Sequence, residues 1–345
     1  MKQLILIKIL ILTLCISCSN EEVLINNSDS LNDSYLIQRE SNRLEILSLK
    51  NSILTFDESI ELGMNIGKIE LIKKFRGEYY LLNKELGKIF VLKNINSPIV
   101  TEITMNEEVV AVEDICFPNA TDCYIIDNNS ASVRIIDLTT NQLTNIEIKL
   151  PGIGSSIAGA GNQIYVTIPT KNLVAVIDTR TNLIIEQISV AGNPSIVDIS
   201  YDGRFAIVIA TGDGKEPPYN KPPTAARIIT INLDTRKIAR DNILTGKEEI
   251  GTKLIPNAMV VFDRYIYISA VNIDGGAGGY RVSSSNYATT SVVVRNSCTD
   301  VIKGLYSVLF IEDKGQQLNC LLLNPNNSKM SSEMAIDTFY SGCEK

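Results

Sequence analysis

Residues 161–167 read GNQIYVT, residues 172–179 read NLVAVIDT, residues 192–194 read GNP, and the pattern restarts at 198–204 with DISYDGR. Short runs rich in Val, Ile and Tyr favour extended strands. The joints between them are turn-formers. Asp202-Gly203 suits a tight turn between the first two strands of a unit. DTRTN at 178–182 and DLTTN at 137–141 suit turns between the third and fourth strands, where Asp and Asn side chains bond their own backbone. Turn chemistry accounts for these acids, so they are not read as catalytic.

Working outward, related strand starts fall at Tyr35 (YLIQ), Tyr80 (YLLN), Tyr124 (YIID), Tyr165 (YVTI), Ala206 (AIVI), Tyr267 (YISA) and Val308 (VLFI), with gaps of 45, 44, 41, 41, 61 and 41 residues. A period near 40–45 with strand-turn-strand content is the pattern of propeller blades. The fold class expected is all-β: a β-propeller of four-stranded antiparallel blades, seven by this spacing, with six or eight left open by the weaker first and last copies. One blade cannot bury both faces, so neighbours stacked in a ring make the core. Ring closure should pair a strand near one terminus with the other end, the candidates being residues 22–26 and 333–340.

The segment 160–210 resembles the YVTN family of β-propeller repeats, with Ile168 where the family motif has Asn. The resemblance implies a propeller. Propellers of related appearance include binding proteins, lactonases, lyases and haem or quinone oxidoreductases.

Composition narrows the chemistry. The 345 residues are 45% hydrophobic and 21% charged, which is globular. A net charge of −7 and the lack of a basic cluster argue against nucleic acid as a partner. The chain has no histidine, which removes Ser-His-Asp and Cys-His nucleophiles and His-ligated metals. It has no tryptophan, the usual stacking platform for sugars, although 13 tyrosines could substitute in part.

Met1-Lys2-Gln3 opens with a positive charge, and residues 4–16 (LILIKILILTLCI) are nearly all apolar. Thirteen residues of helix rise about 20 Å, short of a bilayer core of roughly 30 Å. The segment therefore reads as a secretory signal. Cys15-Ile16-Ser17-Cys18 resembles a bacterial lipobox, although Cys15 stands where Leu is usual; the resemblance implies cleavage before Cys18 and lipidation of its thiol. The domain plan is then 1–17 signal peptide, 18–33 lipidated polar tether and 34–345 a single propeller. The location expected is the cell envelope, lipid-anchored, in the outer membrane facing either the periplasm or the exterior.

An oxidising compartment permits disulfides. Cys116 and Cys123 flank the turn-rich FPNATD and are a candidate bridge; the pairing of Cys298, Cys320 and Cys343 is open.

The 61-residue gap is about twenty residues longer than its neighbours, and the excess falls mainly at 211–225 (TGDGKEPPYNKPPTA), between the second and third strands of blade five. Blade six has a similar insertion at 272–290 (NIDGGAGGYRVSSSNYATT), and 245–256 is a long connection between the same blades. In an up-and-down blade these loop types share one face, and long loops on a rigid scaffold are where function concentrates. The candidate binding residues are Asp213, Lys215, Glu216, Tyr219, Asn220 and Lys221 on the first insertion. On the second they are Asp274, Tyr280, Arg281 and Tyr287, since Tyr and Arg are favoured at binding hot spots. No resident cofactor is expected. The acids Asp213, Glu216, Glu248, Glu249 and Asp274 suit calcium by type but match no loop motif. The reading is a lipid-anchored binding or scaffolding protein for an unknown protein or small ligand, with the membrane as partner through its anchor. The alternatives are a His-independent hydrolase- or lyase-like enzyme and a structural envelope component.

Overall fold

The computed structural model describes residues 34–344, apart from short segments at 51–52, 97, 106–110, 213–224, 245–253, 273–277, 288–289, 296–297, 304–306, 314–317, 325–328 and 337–340. It is a seven-bladed β-propeller, each blade a four-stranded antiparallel sheet. The described helix is one short turn, Pro169–Lys171. Among the described residues no helix is long and apolar enough to cross a membrane.

Six blades are built from four consecutive strands. Blade one differs: its innermost strand is Ser341–Glu344, paired with Ser34–Glu40 through Tyr35↔Glu344 and Leu36↔Cys343. The two ends of the described chain therefore close the ring. The closing strand follows the segment expected from sequence, because Lys329–Ile336 is already spent as the outer strand of blade seven. The other candidate, 22–26, lies outside the described residues.

All seven repeat starts lie on the second strand of a blade. Their register is less uniform. Tyr80, Tyr124, Tyr165 and Tyr267 face the following blade, whereas Tyr35, Ala206 and Val308 face the preceding one. Side chains alternate along a strand, so a one-residue slip exchanges the two faces. The true counterparts in blades one, five and seven are Leu36, Ile207 and Leu309.

Seven apolar clusters fill the seven gaps between neighbouring blades, including the gap between blades seven and one. A fully buried Val, Leu or Ile stabilises by about 1.5–3 kcal/mol, so these wedges hold the ring. The tyrosines also reach across the gaps. Tyr124 is buried and its hydroxyl donates to Asn182 Oδ1 at 2.8 Å, on the outer turn of blade four. Burial raises the Tyr124 and Tyr165 phenols to about 12, so both stay neutral donors.

The turns form as their residues dictate. Asp137 and Asp178 accept the Thr139 and Arg180 N–H groups at 2.7 and 2.8 Å. Asn141 and Asn182 take left-handed backbone at φ 54° and 56°. Gly203 does the same at 66° in the tight turn.

The Cys116–Cys123 bridge is not formed; both thiols are free and buried. Cys116 pairs with Tyr124, which places Cys123 on the opposite side of the blade. Cys116 packs towards blade four and Cys123 towards blade two. The turn brings their backbones together, but alternation points the sulfurs apart. Burial pushes both thiols well above their ordinary pKa.

Candidate functional site

Inner strands of blades two to seven wall a central cavity of about 990 Å³. In an ordinary ladder their side chains alternate between the two flanking gaps. Four of these strands instead carry a β-bulge near their first residues. The extra residues are Glu113-Asp114 in blade three, Ser195 in blade five, Asn257 in blade six and Thr299 in blade seven. A bulge inserts a residue, twists the strand and re-aims its neighbour. Each of these residues lines the cavity. Bulge residues in three blades are fixed in related ways, with Ser195 and Thr299 bonding the Ile209 and Ile311 carbonyls at 3.3 and 3.4 Å. Asn257 donates to the Cys298 carbonyl at 2.9 Å and accepts from Ser269 Oγ at 2.6 Å.

One aspartate recurs beside the bulges. Asp114, Asp198 and Asp300 each accept, at 2.7 Å, the N–H of the residue that follows. Their surroundings then diverge. Asp114 is a hub: Lys73 Nζ donates to Oδ1 at 2.7 Å, while Ser156 Oγ and the Ile157 N–H donate to Oδ2 at 3.0 Å. Ser156 Oγ in turn accepts the Val197 N–H at 3.3 Å, and Lys73 also donates to the Ile115 carbonyl. This network ties the inner strands of blades two, three, four and five. Burial pulls the Lys73 pKa down, but the charge and hydrogen bond of Asp114 outweigh it, and the net shift is upward. Lys73 is thus a held cation, unsuited to act as a base on Ser156.

Asp198 and Asp300 have no such closure. Among the described residues, the hydrogen bond to each carboxylate is the one from its own neighbour. Burial raises both; Asp198 is eased by the charges of Lys73 and Lys303, whereas Asp300 stands at about 7.

The sequence-based site residues fall elsewhere. Asp213, Lys215, Glu216, Tyr219, Asn220, Lys221 and Asp274 lie outside the described residues, as do the calcium-type acids Glu248 and Glu249. The blade-six insertion is not one loop. Its third strand, Gly279–Ser283, lies inside it, so the connection between second and third strands is 273–278. Gly279 disguised that strand, yet it is needed there: a Cβ would stand 2.6 Å from Val294 Cβ. Tyr280 is buried between blades five and six. Arg281 stacks on Tyr265 at 4.4 Å. Tyr287 sits beyond that strand at the opposite end of the blade, buried, its ring edge-on to Phe205 at 6.0 Å. These three side chains pack within or between blades and do not share one loop.

The channel residues were missed because no motif surrounds these acids: Asp114, Asp198 and Asp300 each simply precede an apolar residue of a short strand. The available signal was the repeated pair Asp-Ile or Asp-Val at 114–115, 198–199 and 300–301, eight to ten residues before a second-strand start.

No family model matches the sequence, and no curated protein does. Solved structures do. A functionally unknown protein from Desulfotomaculum acetoxidans superposes with TM-score 0.63 at 11% identity, covering 91% of this chain and 99% of that one. A catalytically inactive virginiamycin B lyase from Staphylococcus aureus, solved with quinupristin, gives 0.57 at 13%, covering 79% and 84%. Hydrazine synthase from Kuenenia stuttgartiensis gives 0.55 at 15%, covering 71% and 73%. Likeness at this level shows the fold alone.

Proposed function

We propose that this chain is a lipid-anchored cell-envelope protein that binds a small ligand in the central channel of its propeller. The observation that carries the reading is the set of four inner-strand bulges, which turn polar residues of blades three, five, six and seven into one cavity of about 990 Å³. Cavities of roughly 300–1,000 Å³ with a few convergent polar groups are the usual form of small-molecule sites. The bulges lie near the start of each inner strand. The anchor rests on the lipobox-like Cys15-Ile16-Ser17-Cys18 and the YVTN-like repeat supports the propeller reading.

Two measurements test this. Replacing Cys18 with Ser should release the protein from the membrane fraction and abolish labelling by palmitate; a variant that stays membrane-bound and labelled refutes the anchor. For the channel, wild type and Ser195→Trp would be screened by thermal shift against small cations, anions and neutral sugars. At least one compound should stabilise wild type and not the blocked variant. A screen in which nothing binds, or in which every hit survives the block, refutes the channel reading.

A further inference from the structure

We infer that the ligand of this channel carries a cationic group, an ammonium or guanidinium, that docks on Asp300. The inference rests on the channel reading above and adds the chemical class. Charges lining the cavity are unevenly matched. Lys73 is consumed by Asp114 at 2.7 Å and Lys84 by Glu113 at 2.6 Å. Lys303 lies 5.7 Å over the Phe262 ring and acts on Asp198 through its charge. Asp300 has neither a cation nor a side-chain donor among the described residues; the Val301 N–H is its hydrogen-bond partner.

Asp114 and Asp300 are alike in placement and unlike in partners. Both follow or share a bulge, both bond the next N–H at 2.7 Å, and both line the same cavity. One is sealed by three further donors and the other faces the cavity with its remaining lone pairs unused. Asp300 is half-buried, and a carboxylate held partly out of water without a partner is costly to a fold. Burial holds this one up to about 7, so near neutral pH it is poised between forms, and an incoming cation would draw it into the ionised state. The bulge at Thr299 fixes the strand that presents it, and Asn257 of blade six, anchored to the Cys298 carbonyl, lines the same cavity. Of the cavity's lysines, Lys73 and Lys84 are already held in ion pairs.

The test is calorimetric titration at pH 8 with agmatine, putrescine and butylammonium as cations, glutarate and sulfate as anions, and glucose as a neutral probe. Proteins would be wild type, Asp300→Asn, Asp300→Glu, Ser195→Trp and, as an outer-turn control, Asp137→Asn, each first shown to unfold cooperatively. At least one amine should bind wild type and the control equally. Its affinity should fall about tenfold or more in Asp300→Asn and Ser195→Trp, and in part return in Asp300→Glu. Equal affinity for Asp300→Asn would overturn the inference. So would binding of glutarate, sulfate or glucose alone; if Ser195→Trp abolished that binding, the channel reading would survive without the cation. If no probe binds, or if binding ignores the block, the channel reading fails as well.

Discussion

Replacing Asp300 with Asn should stabilise the protein, and by an amount that depends on pH. The carboxyl has an ordinary value of 3.8 when unfolded and about 7 when folded, because burial disfavours its charge. A folded value raised above the unfolded one means stability is fully present below about 3.8. It is then lost progressively as pH rises, until the folded group also ionises near 7. At 1.36 kcal/mol per unit, the gap of about three units corresponds to about 4 kcal/mol at pH 8, an upper bound since channel water reaches the group. At pH 5 only the first unit or so has accrued, about 1.6 kcal/mol. Asn keeps an oxygen for the Val301 N–H and cannot ionise. Asp198 is raised in the same direction, so the wild-type slope alone is ambiguous, and the difference between the two proteins isolates Asp300. Urea unfolding of both between pH 4 and 8.5 should give curves that coincide at pH 4 and diverge towards pH 8. Curves that stay parallel across this range would mean that Asp300 ionises normally, and the account of a desolvated, unpartnered carboxylate would be wrong.

Removing the hub has the opposite sign. Asp114→Ala strands the Lys73 ammonium and three donors, and should cost about 3–5 kcal/mol in denaturant unfolding. The raised Lys73 pKa contributes stability that is intact below the ordinary lysine value and is lost at higher pH; Lys73→Met should flatten the alkaline limb of the stability profile. Gly279→Ala drives a methyl into Val294 and should cost about 1–3 kcal/mol, with part recovered by adding Val294→Ala; no loss would show that the strands can separate freely. Tyr124→Phe deletes the inter-blade bond to Asn182 and should cost about 1 kcal/mol without changing the fold, as read by circular dichroism and urea midpoint.

The repeat was legible because its causes are local. Turns at 137–141, 178–182 and 200–204 need Asp, Asn and Gly for backbone reasons that hold in any context, and strand composition marks the runs between them. The spacing of second strands therefore yielded seven blades. It could not fix register in blades one, five and seven: in blade one Tyr35 itself takes the other face, and in blades five and seven Tyr gives way to aliphatic residues that suit either face equally. The thiols failed for a related reason: separation along the chain says nothing about which side of a strand a sulfur takes, and Cys116 and Cys123 took opposite sides.

The channel lies on the other side of that divide. An Asp before Ile or Val occurs at 114, 198 and 300, and no local rule tells which of the three is satisfied. Lys73, Asp114 and Ser156 belong to three successive blades, and they meet because the ring brings inner strands side by side. Closure of that ring, through Ser341–Glu344 against Ser34–Glu40, depends on both ends of the described chain at once. The sequence by itself determined that this chain builds blades, since propensity and turn chemistry act over a few residues. Only the tertiary structure decided which aspartate is satisfied and which is left facing the cavity, because partnership and desolvation depend on neighbours more than 40 residues away.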